Sequence, residues 1–161
     1  MKKIAAFVAY IASIVAANVM TNAFGLVTIV GLTVTAGTFV AGTALILRDA
    51  VQETGGKGLV FVAITAGAVL SAVTSTPELA VASALAFAAS ELVDLAIYTP
   101  LSRKSVPVAV LASSVIAAPV DTVLFLHLAG FGVTDDAVMG QFVVKTLIAA
   151  AVAVGLSWRS I

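Results

Sequence analysis

Cysteine is absent from this 161-residue chain, which excludes disulfides and thiolate metal sites. Charge is scarce: Asp, Glu, Lys and Arg make up 10% of the residues, where a soluble domain carries about 25%. The eight cations are matched by eight acids, so there is no basic face for nucleic acid. Histidine occurs once, at His127, and no HExxH-like pairing is present to hold a metal. Neither GxSxG, nor a Walker loop, nor GxGxxG occurs, and "GTFVAG" lacks the Lys and Ser/Thr that a phosphate loop needs. Asp94 and Asp121 mimic the paired aspartates of an intramembrane protease, but neither sits in a Gly-flanked catalytic context. No enzymatic activity and no cofactor are expected.

What remains is apolar. Hydrophobic residues make up 61% of the chain and the mean hydropathy is +1.20. Such a chain lacks the polar surface to face water on all sides, and its natural solvent is a lipid bilayer. The opening MKK followed by an apolar run imitates a secretory signal peptide. The run from Ile4 to Phe24, about 20 residues, has the length of a spanning helix instead.

Breaking the hydropathy at charges, Gly and Pro gives six spans, over 4–24, 26–47, 59–75, 79–99, 106–131 and 138–158. The expectation is an all-α polytopic membrane protein, one integral domain over 1–161. The weakest break is the first, around Gly25, where the turn falls anywhere between Phe24 and Gly31 or the second span is partly re-entrant. With six spans, Lys2, Lys3, Arg48, Lys57, Arg103, Lys104 and Arg159 fall on one side. Glu78, Asp135 and Asp136 fall on the other, and the eighth cation, Lys145, is inside a span. The positive-inside rule then makes both termini cytoplasmic. A stripe of small residues, Ala63, Gly67, Ser71 and Thr74, lets the third span pack closely on a neighbour.

Ionisable residues inside a membrane are costly and are candidates for function. Here they are Glu91, Asp94, Asp121 and Lys145, joined by the neutral polar residues Asn18, Asn22 and Gln141. At 1.5 Å per residue, Asn18, Asp121 and Lys145 lie about 20 Å above the cytoplasmic helix ends, and Glu91 about 13 Å. Two readings stand side by side for most of them. Asp121 and Lys145 form a buried ion pair or meet a substrate. Asp94 pairs with Arg103 or Lys104 at the interface or joins the site. Asn18 and Asn22 are interhelical hydrogen-bond glue or ligand contacts. Glu91 is the hardest to explain structurally, since no cation is left over at its depth. On a helix Phe87, Glu91, Asp94 and Tyr98 share one stripe, and Phe125 repeats the acid-plus-aromatic spacing beside Asp121. Pro119 is expected to break the fifth helix locally and free a carbonyl for a cavity. Arg48, Asp49 and Glu53 are placed at the cytoplasmic mouth, as a gate or topology anchor rather than a substrate contact.

Four stretches in order, "YIASIVAANVMTN", "LRDAVQETGG", "SELVDLAIYTPL" and "APVDTVLF", resemble the queuosine-precursor transporter family, also called the VUT family. The resemblance runs from Tyr10 to about Phe131, and the chain is short for the family. It implies import of a 7-deazaguanine base, such as 7-cyano-7-deazaguanine, across a bacterial inner membrane. A guanine-type edge offers adjacent donors that a carboxylate such as Glu91 accepts in a bidentate pair. Its acceptors need an amide or Lys145, and its ring needs aromatic faces such as Phe87, Tyr98 and Phe125. Alternatives are a substrate-binding membrane subunit of a vitamin importer, and a structural membrane protein with buried ion pairs. The implied partners are a small purine-like molecule and the bilayer. A homo-oligomer and an energising subunit are both left open.

Overall fold

The computed structural model describes residues 2–159; Met1, Ser160 and Ile161 of the expected domain lie outside it. Six helices form: α1 (Lys2–Phe24), α2 (Thr38–Gly55), α3 (Lys57–Thr74), α4 (Pro77–Ser102), α5 (Val106–Leu128) and α6 (Asp135–Arg159). Five of them, all but α2, are long and apolar enough to cross a membrane. At 18 residues α2 only just has the length, and it carries Arg48, Asp49 and Glu53.

The expected second span begins too early. Residues Leu26–Ile29 (β1) and Leu32–Thr35 (β2) form an antiparallel hairpin, with Thr28 opposite Thr33, and α2 starts only at Thr38. The physical reason is local. Leu, Val, Thr and Ile alternate here in the β-branched pattern that suits a pleated ribbon. The two-residue loop Val30–Gly31 has positive φ at both positions (52° and 77°), the twist a tight hairpin needs. Gly25, also at positive φ, ends α1, and Thr21 binds the chain on both sides of the hairpin. Its carbonyl accepts from Gly25 N–H (2.8 Å), and its hydroxyl accepts from Gly37 N–H (3.1 Å).

Other boundaries follow ordinary helix chemistry. Thr76 caps α4, its hydroxyl accepting from Leu79 N–H at 3.3 Å, with Pro77 at the first helical position and Glu78 in the first turn. α5 runs without a break through Pro119, so the expected local disruption there does not occur. Missing one N–H is tolerated where neighbouring helices hold the segment.

Each helix packs chiefly on two neighbours in the cyclic order α1–α2–α6–α5–α4–α3, which closes back on α1. The ring works by small residues at the crossings. A Cβ at Gly67 would stand 2.9 Å from Ile14, one at Gly42 would collide with Ile148, and one at Gly37 with the carbonyl of Ala17. Of the small stripe on α3, Ala63, Gly67 and Ser71 are buried as expected, while Thr74 is exposed. Large apolar side chains point outward instead: Val62, Val69, Leu70 and Val73 on α3, Leu85 and Leu92 on α4, Leu147 on α6. Polar side chains point inward, among them Asn18, Arg48, Ser71, Glu91, Asp94, Asp121, Gln141 and Lys145. Apolar outside and polar inside is the arrangement a bilayer selects.

Candidate functional site

Every helix contributes a polar residue to the centre of the ring, and these divide into two layers. The first is a network around Arg48. Its Nη1 donates to Glu91 Oε2 at 2.8 Å, its Nη2 lies 2.9 Å from Asp94 Oδ2, and its Nε donates to Asp49 Oδ1 at 3.0 Å. A planar guanidinium has five donors in a fixed fork, which lets one cation serve three carboxylates on two helices. Arg48 is 5% exposed, Glu91 and Asp94 2% each. Arg48 therefore does not stand at an open mouth, and it is the cation that Glu91 was expected to lack. Asp94 pairs with Arg48 rather than with Arg103 or Lys104. Asp49 is partly exposed and Glu53 exposed, and these two do border solvent.

The second layer is a small, partly open cavity between α1, α2, α4, α5 and α6, with the base of the hairpin over it. Its lining includes Asn18, Phe87, Asp121, Phe125, Gln141 and Lys145, all expected at the site, plus the hydroxyls of Thr21, Thr35, Thr38 and Ser83. Lys145 Nζ donates to Asp121 Oδ2 at 2.6 Å and to Thr122 Oγ1 at 2.9 Å, so the expected ion pair forms and Thr122 completes it. Asn18 Nδ2 donates to Ser71 Oγ at 3.0 Å, which joins α1 to α3 and still leaves Asn18 at the cavity wall. Gln141 is 1% exposed, and its Nε2 has no acceptor. A buried donor left without a partner is costly to the fold, and such groups call for an explanation.

Four expected residues stand elsewhere, among them Asp94, which belongs to the Arg48 network. Asn22 is exposed on α1, one turn beyond Asn18. Tyr98 is half-buried and outside the cavity lining. Glu91 belongs to the Arg48 network rather than to the wall of this cavity. The threonines of the hairpin base were missed. Their signal was the TVTAGT segment itself, whose Thr35 and Thr38 hydroxyls bond each other at 2.8 Å.

Asp121 and Lys145 also line a second, smaller cavity, with Arg48, Asp94, Ser90 and Ser114. The Lys145–Asp121 pair thus forms a partition between the larger cavity and the Arg48 network. The larger space encloses about 30 Å³, enough for a water or two.

A family model described as "putative vitamin uptake transporter" matches residues 4–158, and the chain belongs to that family. No curated protein and no solved structure matches. Family and apolar helices together make this a multi-pass membrane transporter.

Proposed function

We propose that this member of the vitamin uptake transporter family imports a 7-deazaguanine precursor of queuosine, such as 7-cyano-7-deazaguanine, into the cytoplasm of a bacterial cell. The substrate comes from the sequence resemblance, and the chemistry of the larger cavity supports it. Asp121 offers a carboxylate to the N1–H and exocyclic amine of a guanine-type edge. Lys145, Asn18 and Gln141 offer donors to its carbonyl and ring acceptors. Phe87 and Phe125 offer apolar faces for a flat ring. The carrying observation is Gln141 Nε2, a fully buried donor at the cavity wall with no acceptor of its own. A ligand carbonyl or ring nitrogen would satisfy it.

The topology that goes with this reading places both termini, and the turn after α4, in the cytoplasm, with all six helices crossing. It rests on six cations at one set of helix ends, Lys2, Lys3, Lys57, Arg103, Lys104 and Arg159, without Arg48, which is buried in mid-helix. The hairpin then lies on the outer side, above the cavity. The test is uptake in cells that cannot make the precursor but can finish queuosine from it. With the gene and external 7-cyano-7-deazaguanine, queuosine should appear in tRNA; without the gene it should not. Failure to restore it with the protein correctly in the membrane would end this assignment.

A further inference from the structure

The centre of the ring holds more negative charge than its cations can balance. Four buried or part-buried carboxylates, Asp49, Glu91, Asp94 and Asp121, face two cations, Arg48 and Lys145. Lys145 is occupied by Asp121, and Arg48 directs two of its donors, including its shortest bond, to Asp49. Glu91 and Asp94, one turn apart on α4, are left to share what remains of one guanidinium. Two excess negative charges in a low-dielectric interior are strongly unfavourable, and the ordinary relief is for a carboxylate to take up a proton.

A second observation says where. Glu91 is 2% exposed, its Oε2 accepts from Arg48, and its Oε1 is buried without a hydrogen-bond partner. An ionised carboxylate has about four acceptor sites to satisfy, and an oxygen with none filled is poorly placed to carry charge. The only cations among the groups around it are Arg48, which also serves Asp49 and Asp94, and Lys145, which is paired with Asp121. Tyr10 approaches from α1, Arg48 and Asp49 from α2, Asp94 from its own helix, Asp121 from α5 and Lys145 from α6. α3 has no titratable side chain beyond Lys57 at its first residue.

We infer that the Arg48 network is a proton-binding site, with the proton on Glu91 Oε1, and that the transporter uses it to couple import to proton entry. The coupling half of this rests on the import reading above; the binding half does not. A proton arriving from the outer side neutralises Glu91 while Oε2 still accepts from Arg48. It leaves through Asp49, the part-exposed member of the network, to cytoplasmic water, which returns Glu91 to its anion. No other bond forms or breaks. The Lys145–Asp121 partition stands between the larger cavity and this network, so opening it for the substrate would also expose the proton site.

Infrared difference spectroscopy on purified protein in lipid tests the binding half without any substrate. The wild type at neutral pH should show the carbonyl stretch of a neutral carboxyl group. That band should vanish in Glu91→Gln, persist in Asp94→Asn, and shift in Glu91→Asp, which also serves if the Gln variant does not fold. No such band in the wild type, or one that survives in Glu91→Gln, would overturn the assignment. Liposomes with an acidic outside then test the coupling with labelled 7-cyano-7-deazaguanine. The wild type should accumulate it above the external concentration, and Glu91→Gln should only equilibrate it. Accumulation that ignores the pH gradient would overturn the coupling. The infrared band together with no uptake at all would instead overturn the import reading and leave the proton site standing.

Discussion

Arg48 Nη1 lies 2.8 Å from Glu91 Oε2, joining α2 to α4 across the centre of the helix ring. The two residues are 43 positions apart and both are buried. Removing the guanidinium leaves three carboxylates without their shared donor. Arg48→Gln should therefore cost about 3–5 kcal/mol, the range for breaking a buried pair. Arg48→Lys should cost less but not be neutral, because an ammonium cannot span Asp49, Glu91 and Asp94 as a planar fork does. Denaturation midpoints in detergent would check the order: wild type, then Lys, then Gln. A Lys variant as stable as the wild type would show that the fork geometry does not matter.

The partition between the cavities makes a different prediction. Asp121→Asn leaves Lys145 charged and unpaired, and should destabilise the protein. Adding Lys145→Met should restore much of that stability, since neither charge is then left alone. Uptake should not return with it, because both groups also line the cavity. Folding yield and uptake, measured on the same preparations, separate these outcomes. Recovery of both would reduce the pair to a structural bridge.

The helical architecture was legible because apolar runs of membrane length are a strong and redundant signal. Asp121 and Lys145 were also legible, as partners at equal depth on consecutive helices. Arg48 was not. Counting the second span from Leu26 pushed Arg48 to the end of that span, where a charge is cheap. The hairpin consumes Leu26–Thr35, so α2 starts about three turns later and Arg48 falls in mid-helix, level with Glu91. One misread element thus displaced one residue and hid its three partners. Only a weak break around Gly25 shows there in the sequence, and the β-branched residues of LVTIVGLTVT, which form the hairpin, read as part of an apolar span.

Close packing of the hairpin on α6 is open to a direct test. A Cβ at Gly140 would collide with the backbone carbonyl of Thr33, an atom that can yield only if the whole strand moves. Gly140→Ala should shift the hairpin and impair uptake, while Gly155→Ala, with open space around it, should not. Within the hairpin, Val30 sits at φ 52° and is 97% exposed. Val30→Gly should remove about 1 kcal/mol of left-handed strain and slow hydrogen exchange at the Ile29 and Leu32 amides. Faster exchange would contradict that turn geometry.

Topology can be checked cleanly in a chain with no cysteine of its own. With both termini inside, a cysteine at Asp135 should react with an impermeant thiol reagent on intact cells. One at Arg103 should react only after permeabilisation. Labelling of position 103 from outside would reverse or break the six-span arrangement.

Gln141 separates binding from folding most sharply. Its Nε2 is buried without an acceptor, so the folded protein without substrate bears the cost of desolvating that donor. Gln141→Met removes the donor and keeps the volume close. The variant should therefore be as stable as the wild type, or more so. Substrate affinity should move the other way. Losing one neutral hydrogen bond of about 0.5–1.5 kcal/mol weakens binding by roughly 2- to 12-fold. A base analogue lacking the matching acceptor should bind wild type and variant alike, which identifies the atom that Gln141 meets. Thermal midpoints and competition uptake on matched amounts of protein would give both readings. A variant that loses stability and uptake together would place Gln141 in the packing of α6, and the cavity would lose its strongest sign of a ligand.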